Sequence, residues 1–250
     1  MQFAHLAALG SSFAAGPGIT PTVNRWAGRS GRNYAHLLAA KWGARLTDLT
    51  VGGATTATML DTAQWVLWHR FAPQVSGVPE DADLVTITAG GNDLRYASSL
   101  TMAGYAGWFR RRPIAASPGA SEKQVADAAD GLARVVEAAR ARAPRARVVL
   151  AQYPTMIGPA TRYSPAAPFD EATLAAFREL GLQLDDAFAR AARQSGADLV
   201  PVGAASVDHA IGSSEPWVTG FKPTLAGAAA FHPNAAGMVA IADLIADKLA

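Results

Sequence analysis

Five short apolar runs separated by longer helical patterns constrain this chain more than any other feature of its sequence. The runs are Phe3–Leu9, Arg45–Leu49, Leu84–Thr88, Arg147–Ala151 and Asp198–Pro201. The helical patterns include Arg32–Trp42, Glu122–Arg142, Glu171–Gln194 and Ala235–Leu249, with conventional punctuation: Gly43 and Gly196 after two of them, Pro144 after a third, Asn234 before the last. Strands alternating with helices specify a parallel sheet wrapped on both faces. The expected fold is therefore α/β: a three-layer α/β/α arrangement around a five-stranded parallel sheet, in flavodoxin-like order. With 250 residues, half of them apolar, the chain is long enough for one such domain over residues 1–250. No low-complexity linker, repeat or charge block divides it.

Composition narrows the function classes. The formal net charge is only +2, with both signs spread along the chain, so nucleic acid is not an expected partner. The densest basic run, Arg110-Arg111-Arg112 beside Trp108 and Phe109, reads as a solvated loop. With no cysteine, disulfides, thiolate metal sites and cysteine nucleophiles are excluded. No His/Asp/Glu cluster has ligand spacing, so neither a metal nor a cofactor is expected. The opening residues lack the basic region and cleavage site of a secretory signal, and no apolar stretch is long enough to span a bilayer. The expectation is a cytoplasmic protein, secreted if a leader precedes this sequence, with no stable membrane association.

In sheets of this kind ligands bind outside the carboxyl ends of the strands. After the first run comes Gly10-Ser11-Ser12-Phe13-Ala14, where a serine in a tight turn can present its hydroxyl beside free N–H groups, or merely cap a helix. After the second comes Gly52-Gly53-Ala54-Thr55-Thr56, whose glycines allow close backbone approach or simply a tight turn. After the third comes Gly90-Gly91-Asn92-Asp93, where a neutral side-chain amide can serve an oxyanion or an Asn-Asp turn. Near the other end stands His232-Pro233-Asn234, with the histidine backbone held extended by the proline. His5, His36, His69 and His209 read as structural, with a reservation for His209 beside Asp208.

Taken in order, these four segments resemble the conserved blocks of the SGNH/GDSL hydrolase superfamily, and the resemblance runs the length of the chain. It implies that Ser12 attacks an ester carbonyl while His232 takes its proton. It further implies that the backbone N–H groups of Ser12 and Gly53 and the amide of Asn92 hold the oxyanion. There are two departures. Ser11 stands where the family usually has Asp. Ala229 stands where it usually has the acid that orients the histidine, three residues before it. A backbone carbonyl of Ala229 or Ala230 is the favoured substitute, giving a Ser–His dyad with a base of ordinary histidine pKa; Asp208 is the second candidate.

The segments Tyr96–Pro118, Tyr153–Phe169 and Ser213–Phe231 are rich in aromatic residues and are expected to build the pocket. Tyr153, Met156, Trp217 and Phe231 are its candidate lining. Such a lining suits a small-molecule carboxylic ester with a short or medium acyl chain or an aryl group. A carbohydrate O-deacetylase on the same machinery is one alternative, and a catalytically weak binding protein of the same fold is another. Oligomeric state is left open.

Overall fold

The computed structural model describes residues 3–110, 119–223 and 230–250. Five parallel strands form the central sheet: β1 (His5–Gly10), β2 (Arg45–Asp48), β3 (Leu84–Thr88), β4 (Arg147–Ala151) and β5 (Asp198–Val200). Their spatial order is β2-β1-β3-β4-β5, with registers such as Leu6 opposite Leu84 and Ala8 opposite Asp48. This is the expected flavodoxin-like order.

Side-chain alternation explains why these runs are continuously apolar. In β1 every residue is buried. Leu6 and Ala8 enter the core on one face, whereas Ala7 and Leu9 enter the core on the other. The first face is covered by α1 (Tyr34–Trp42) and α4 (Ala235–Leu249), the second by α2 (Glu122–Arg142) and α3 (Glu171–Ser195).

The helix ends follow from their residues. Asn33 accepts from the His36 N–H, so α1 starts at Tyr34, two residues later than the pattern suggested. Ser121 and Gln124 form a reciprocal capping box, and Asn234 accepts from Gly237 N–H. Gly43 and Gly196 close their helices in left-handed conformation, at φ 65° and 64°. At the other edge of the sheet, the Asp83 carboxylate binds the N–H groups of Ala4 and His5 and fixes the entry to β1.

Several elements went unanticipated. Two small hairpins pair Thr22–Asn24 with Arg29–Ser30 and Gln64–Val66 with His69–Phe71. A helix, Tyr96–Arg110, occupies much of the segment expected as a pocket loop. Arg111 and Arg112 lie outside the described residues. No helix among the described residues is long and apolar enough to cross a membrane.

Candidate active site

The turn after β1 is built by exclusion of a side chain. Gly10 has φ 149°, and a Cβ there would lie 2.4 Å from the Thr88 carbonyl oxygen and 2.8 Å from the Ala14 Cβ. The bare backbone allows β1 and β3 to stay paired while the chain turns sharply, with Ser11 N–H donating to Thr88 O at 2.9 Å. The buried amide of Gln74 completes the pairing: its Oε1 accepts from Gly10 N–H at 2.8 Å and its Nε2 donates to Gly10 O at 3.0 Å. The Gly10 N–H is thereby satisfied, and Gly10 O, which already accepts from Val51 N–H at 3.1 Å, gains a second donor.

Ser11 points inward. Its hydroxyl is buried and shares a hydrogen bond of 2.7 Å with the Tyr153 hydroxyl, whose ring stacks on Phe13 at 3.9 Å between centroids. Burial raises the Tyr153 pKa, so the phenol stays protonated. Ser12 begins the short helix Ser12–Ala15 and turns its hydroxyl the other way, toward His232. Its Oγ lies 2.8 Å from His232 Nε2.

His232 is held by a strap. Thr219 N–H donates to His232 O at 2.9 Å and Phe231 N–H to Thr219 O at 3.0 Å; Asn234 then caps α4. Between them Phe231 adopts φ 56°, which costs about 1–2 kcal/mol for a residue with a Cβ. Its ring is fully buried near those of Phe169 and Phe221, and that burial offsets the strain. The turn so formed brings the Ala230 carbonyl within 2.7 Å of His232 Nδ1. A carbonyl only accepts, so Nδ1 carries the hydrogen and Nε2 presents a lone pair to the Ser12 hydroxyl. Burial holds the His232 pKa below its ordinary value, and the Ala230 bond only partly offsets this. That differs from the ordinary value expected from sequence, because a neighbouring dipole cannot repay the loss of water as a carboxylate would.

Three donors face the same cleft. Among the described residues, nothing accepts from the N–H of Ser12 or of Gly53. Asn92 Nδ2 donates one hydrogen to the Ala54 carbonyl at 2.8 Å, which fixes the amide and leaves its second hydrogen available. The neighbouring Asp93 ties the two blocks together, accepting from Thr56 Oγ1 at 2.7 Å and from Thr56 N–H at 3.2 Å.

Ser12, Gly53, Asn92 and His232 line one cleft of about 510 Å³, with Trp26, Val66, Ala97, Thr101 and Met102 around them. The four residues expected as lining are elsewhere. Tyr153 supports Ser11 from behind, and Met156 and Phe231 are fully buried in the core. Trp217 stacks on His209 at 4.2 Å, and its carbonyl accepts from Asn234 N–H. Tyr153, Met156 and Phe231 found more burial by turning inward than by facing the cleft, whereas Trp217 is only half-buried. Asp208 is exposed on a single 3-10 turn, while the Nδ1 position is taken by Ala230; Ala229 lies outside the described residues. Among the described residues, no group of three or more His, Asp or Glu is placed to hold a metal ion. Gln74 and the Ala54 carbonyl are the parts of this arrangement that carry no signal in the sequence.

Comparison with known proteins agrees with this geometry. The sequence model of the GDSL-like lipase/acylhydrolase family matches residues 8–240. Lipase 2 of Streptomyces coelicolor is 35% identical over 257 aligned positions, spanning 97% of this chain and 84% of that protein. A lipase of Streptomyces rimosus is 29% identical, over 95% of this chain and 83% of its own length. Among solved structures, phospholipase A1 from Streptomyces albidoflavus NA297 has the same fold, with a TM-score of 0.78 at 23% identity and coverage of 98% and 99% of the two chains. Four sequence blocks converge on one sheet edge, and a family match covers nearly the whole chain: this protein belongs to the GDSL-like lipase/acylhydrolase family and is an ester hydrolase.

Proposed function

We propose that residues 1–250 form one catalytic domain that hydrolyses carboxylic esters through an acyl-enzyme on Ser12, with His232 as general base. The observation that carries this reading is the 2.8 Å contact between Ser12 Oγ and His232 Nε2 across 220 positions of sequence. The Ser12 hydroxyl gives its proton to Nε2 as the oxygen attacks the ester carbonyl. The resulting oxyanion meets the N–H groups of Ser12 and Gly53 and the free hydrogen of Asn92. Nε2–H then protonates the departing alcohol. Water repeats the sequence on the acyl-enzyme and releases the acid. The imidazolium formed in each half is stabilised by the Ala230 carbonyl dipole, so the site works as a dyad.

Trp26, Val66, Ala97 and Met102 give the cleft an apolar wall, beside the polar Arg25, Ser98 and Thr101. They suit a short or medium acyl chain or an aryl ester; a sugar would need more amide and carboxylate partners. Turnover of a p-nitrophenyl ester series against acetylated sugars tests this preference. Fluorophosphonate labelling followed by peptide mapping tests the nucleophile: the adduct is expected on Ser12, and an adduct on Ser11 refutes the assignment. As for compartment, the cytoplasmic expectation stands against a solved S. rimosus relative described as an extracellular lipase, and fractionation of the producing cells decides between them.

Two further results are expected. Asn92→Ala lowers kcat by about 10²–10³-fold with little change in KM, because its donor acts on the oxyanion more than on the bound ester. Asp208→Asn leaves kcat within about twofold; a loss of a hundredfold would give His232 an acid partner and end the dyad reading. The pH profile follows from the direction of the His232 shift. The base works when neutral, and burial lowers its pKa. The acid limb of kcat/KM therefore lies below about 6.5, and activity persists into mildly acidic solution. The same shift makes the folded state lose stability as pH falls from the ordinary histidine value through the lowered one, since the unfolded chain binds that proton first.

A further inference from the structure

Beside the cleft stands the hairpin Gln64–Val66/His69–Phe71, and its two faces are unlike. The inner face belongs to the site: Gln64 Nε2 donates to Gly52 O at 2.7 Å, and Val66 lines the cleft. Trp65, opposite Arg70 in the register, is 63% exposed, and the tip residues Leu67 and Trp68 are each 73% exposed.

This exposure is built in. Leu67 has φ 53°, a conformation that glycine or asparagine adopts at far less cost, so the turn accepts strain while holding a large apolar side chain in water. Trp68 packs edge-on against Trp26 at 5.0 Å, and the Arg25 guanidinium lies 4.4 Å above the Trp26 ring. Across the cleft mouth Met102 is 73% exposed as well. The charge around this apolar rim has one sign. Residues 12–47 and 62–79 contain no Asp or Glu, yet include the exposed Arg25 and Arg70. An apolar tip with indole rings and exposed arginines at its base has the composition of a segment that sits at a lipid–water boundary. A soluble protein partner would not require the tip to adjoin the mouth of an esterase cleft; a lipid surface carrying the substrate would.

We propose that this hairpin docks reversibly on a phospholipid surface bearing anionic headgroups. Trp65, Leu67 and Trp68 enter the headgroup boundary, Arg25 and Arg70 meet phosphate, and an ester held in that surface passes directly to the cleft. Delivery of substrate rests on the catalytic reading above; docking itself does not.

The test separates the two. Ser12→Ala protein, which cannot consume lipid, is sedimented with vesicles of phosphatidylcholine alone or mixed with phosphatidylglycerol. It is expected to bind the mixed vesicles, to bind the neutral ones less, and to weaken with added salt. Adding Trp65→Gln and Leu67→Gly is expected to lower partition by roughly tenfold or more. With Ser12 intact, the same pair of changes is expected to reduce hydrolysis of a lipid ester carried in the vesicles while p-nitrophenyl acetate turnover stays within about twofold. The proposal fails if neither vesicle is bound, if the double variant binds equally, or if both substrates lose rate equally. It also fails if sedimentation equilibrium shows a dimer that Leu67→Gly dissociates, since a second copy then covers the tip. Binding without any p-nitrophenyl acetate turnover by the unaltered chain would instead remove the catalytic reading and leave docking in place.

Discussion

Ser12→Ala is expected to lower kcat on a soluble ester by about 10⁴–10⁶-fold while leaving the thermal midpoint almost unchanged. The size of the loss follows from the absence of a substitute. Ser11 is adjacent, but its hydroxyl is buried and bonded to Tyr153, on the far side of the turn from His232. The change removes one oxygen from a residue that is partly exposed and whose backbone N–H is retained. The proposed oxyanion donors are therefore preserved, and any residual rate measures what they achieve without a nucleophile. Rates at several enzyme concentrations, together with loss of fluorophosphonate labelling, provide the measurement. A variant that keeps more than about a tenth of the activity would mean that Ser12 does not form the acyl-enzyme.

Gly10→Ala is expected to have the largest effect on stability, about 3 kcal/mol, combining overpacking with an unfavourable positive φ. For a chain of this size that corresponds to a fall of about 6–12 °C in Tm. The added methyl would meet the Thr88 carbonyl oxygen at 2.4 Å, and backbone cannot rotate out of the way. To make room, β1 must separate from β3, or the Gln74 amide must release Gly10. Either movement displaces Ser12, so activity falls further than stability alone explains. Gly43→Ala supplies the comparison. That glycine also has positive φ, at 65°, but a Cβ there meets nothing within 4 Å. Its cost is conformational only, about 1 kcal/mol. Equal shifts in the two variants, read by thermal unfolding, would show that the contact with Thr88 is relieved at no cost.

The inner strands β1, β3 and β4 were legible because burial on both faces demands continuous apolar runs, and the long helices because capping residues mark their ends chemically. The hairpins left no such trace. Their strands are two or three residues long and largely exposed, so neither periodicity nor burial selects their residues. The catalytic candidates were legible for a different reason. Each block alone reads equally well as a tight turn or a cap, and it is the resemblance of the four in order to a known family that singles out Ser12, Gly53, Asn92 and His232. The lining was not legible, since an aromatic residue after a strand can turn toward the cleft or toward the core. Tyr153 took the second course because Phe13 offered a stacking face and Ser11 a hydrogen bond. Gln74 was silent because it bonds only to backbone, and backbone looks the same whatever its side chain.

The proposed nucleophile, Ser12, and its proposed base, His232, stand 220 positions apart, the one in the turn after β1 and the other just before α4. On that proposal a growing chain is inert until residue 232 has emerged. A nascent chain that already holds Ser12, Gly53 and Asn92 still lacks the imidazole proposed to take the serine proton. In refolding, recovery of turnover is expected to time the closing of the Thr219–His232 strap against the sheet. A hydrolysis assay run alongside intrinsic fluorescence would then work as a clock for that last step, with the catalytic signal lagging the optical one.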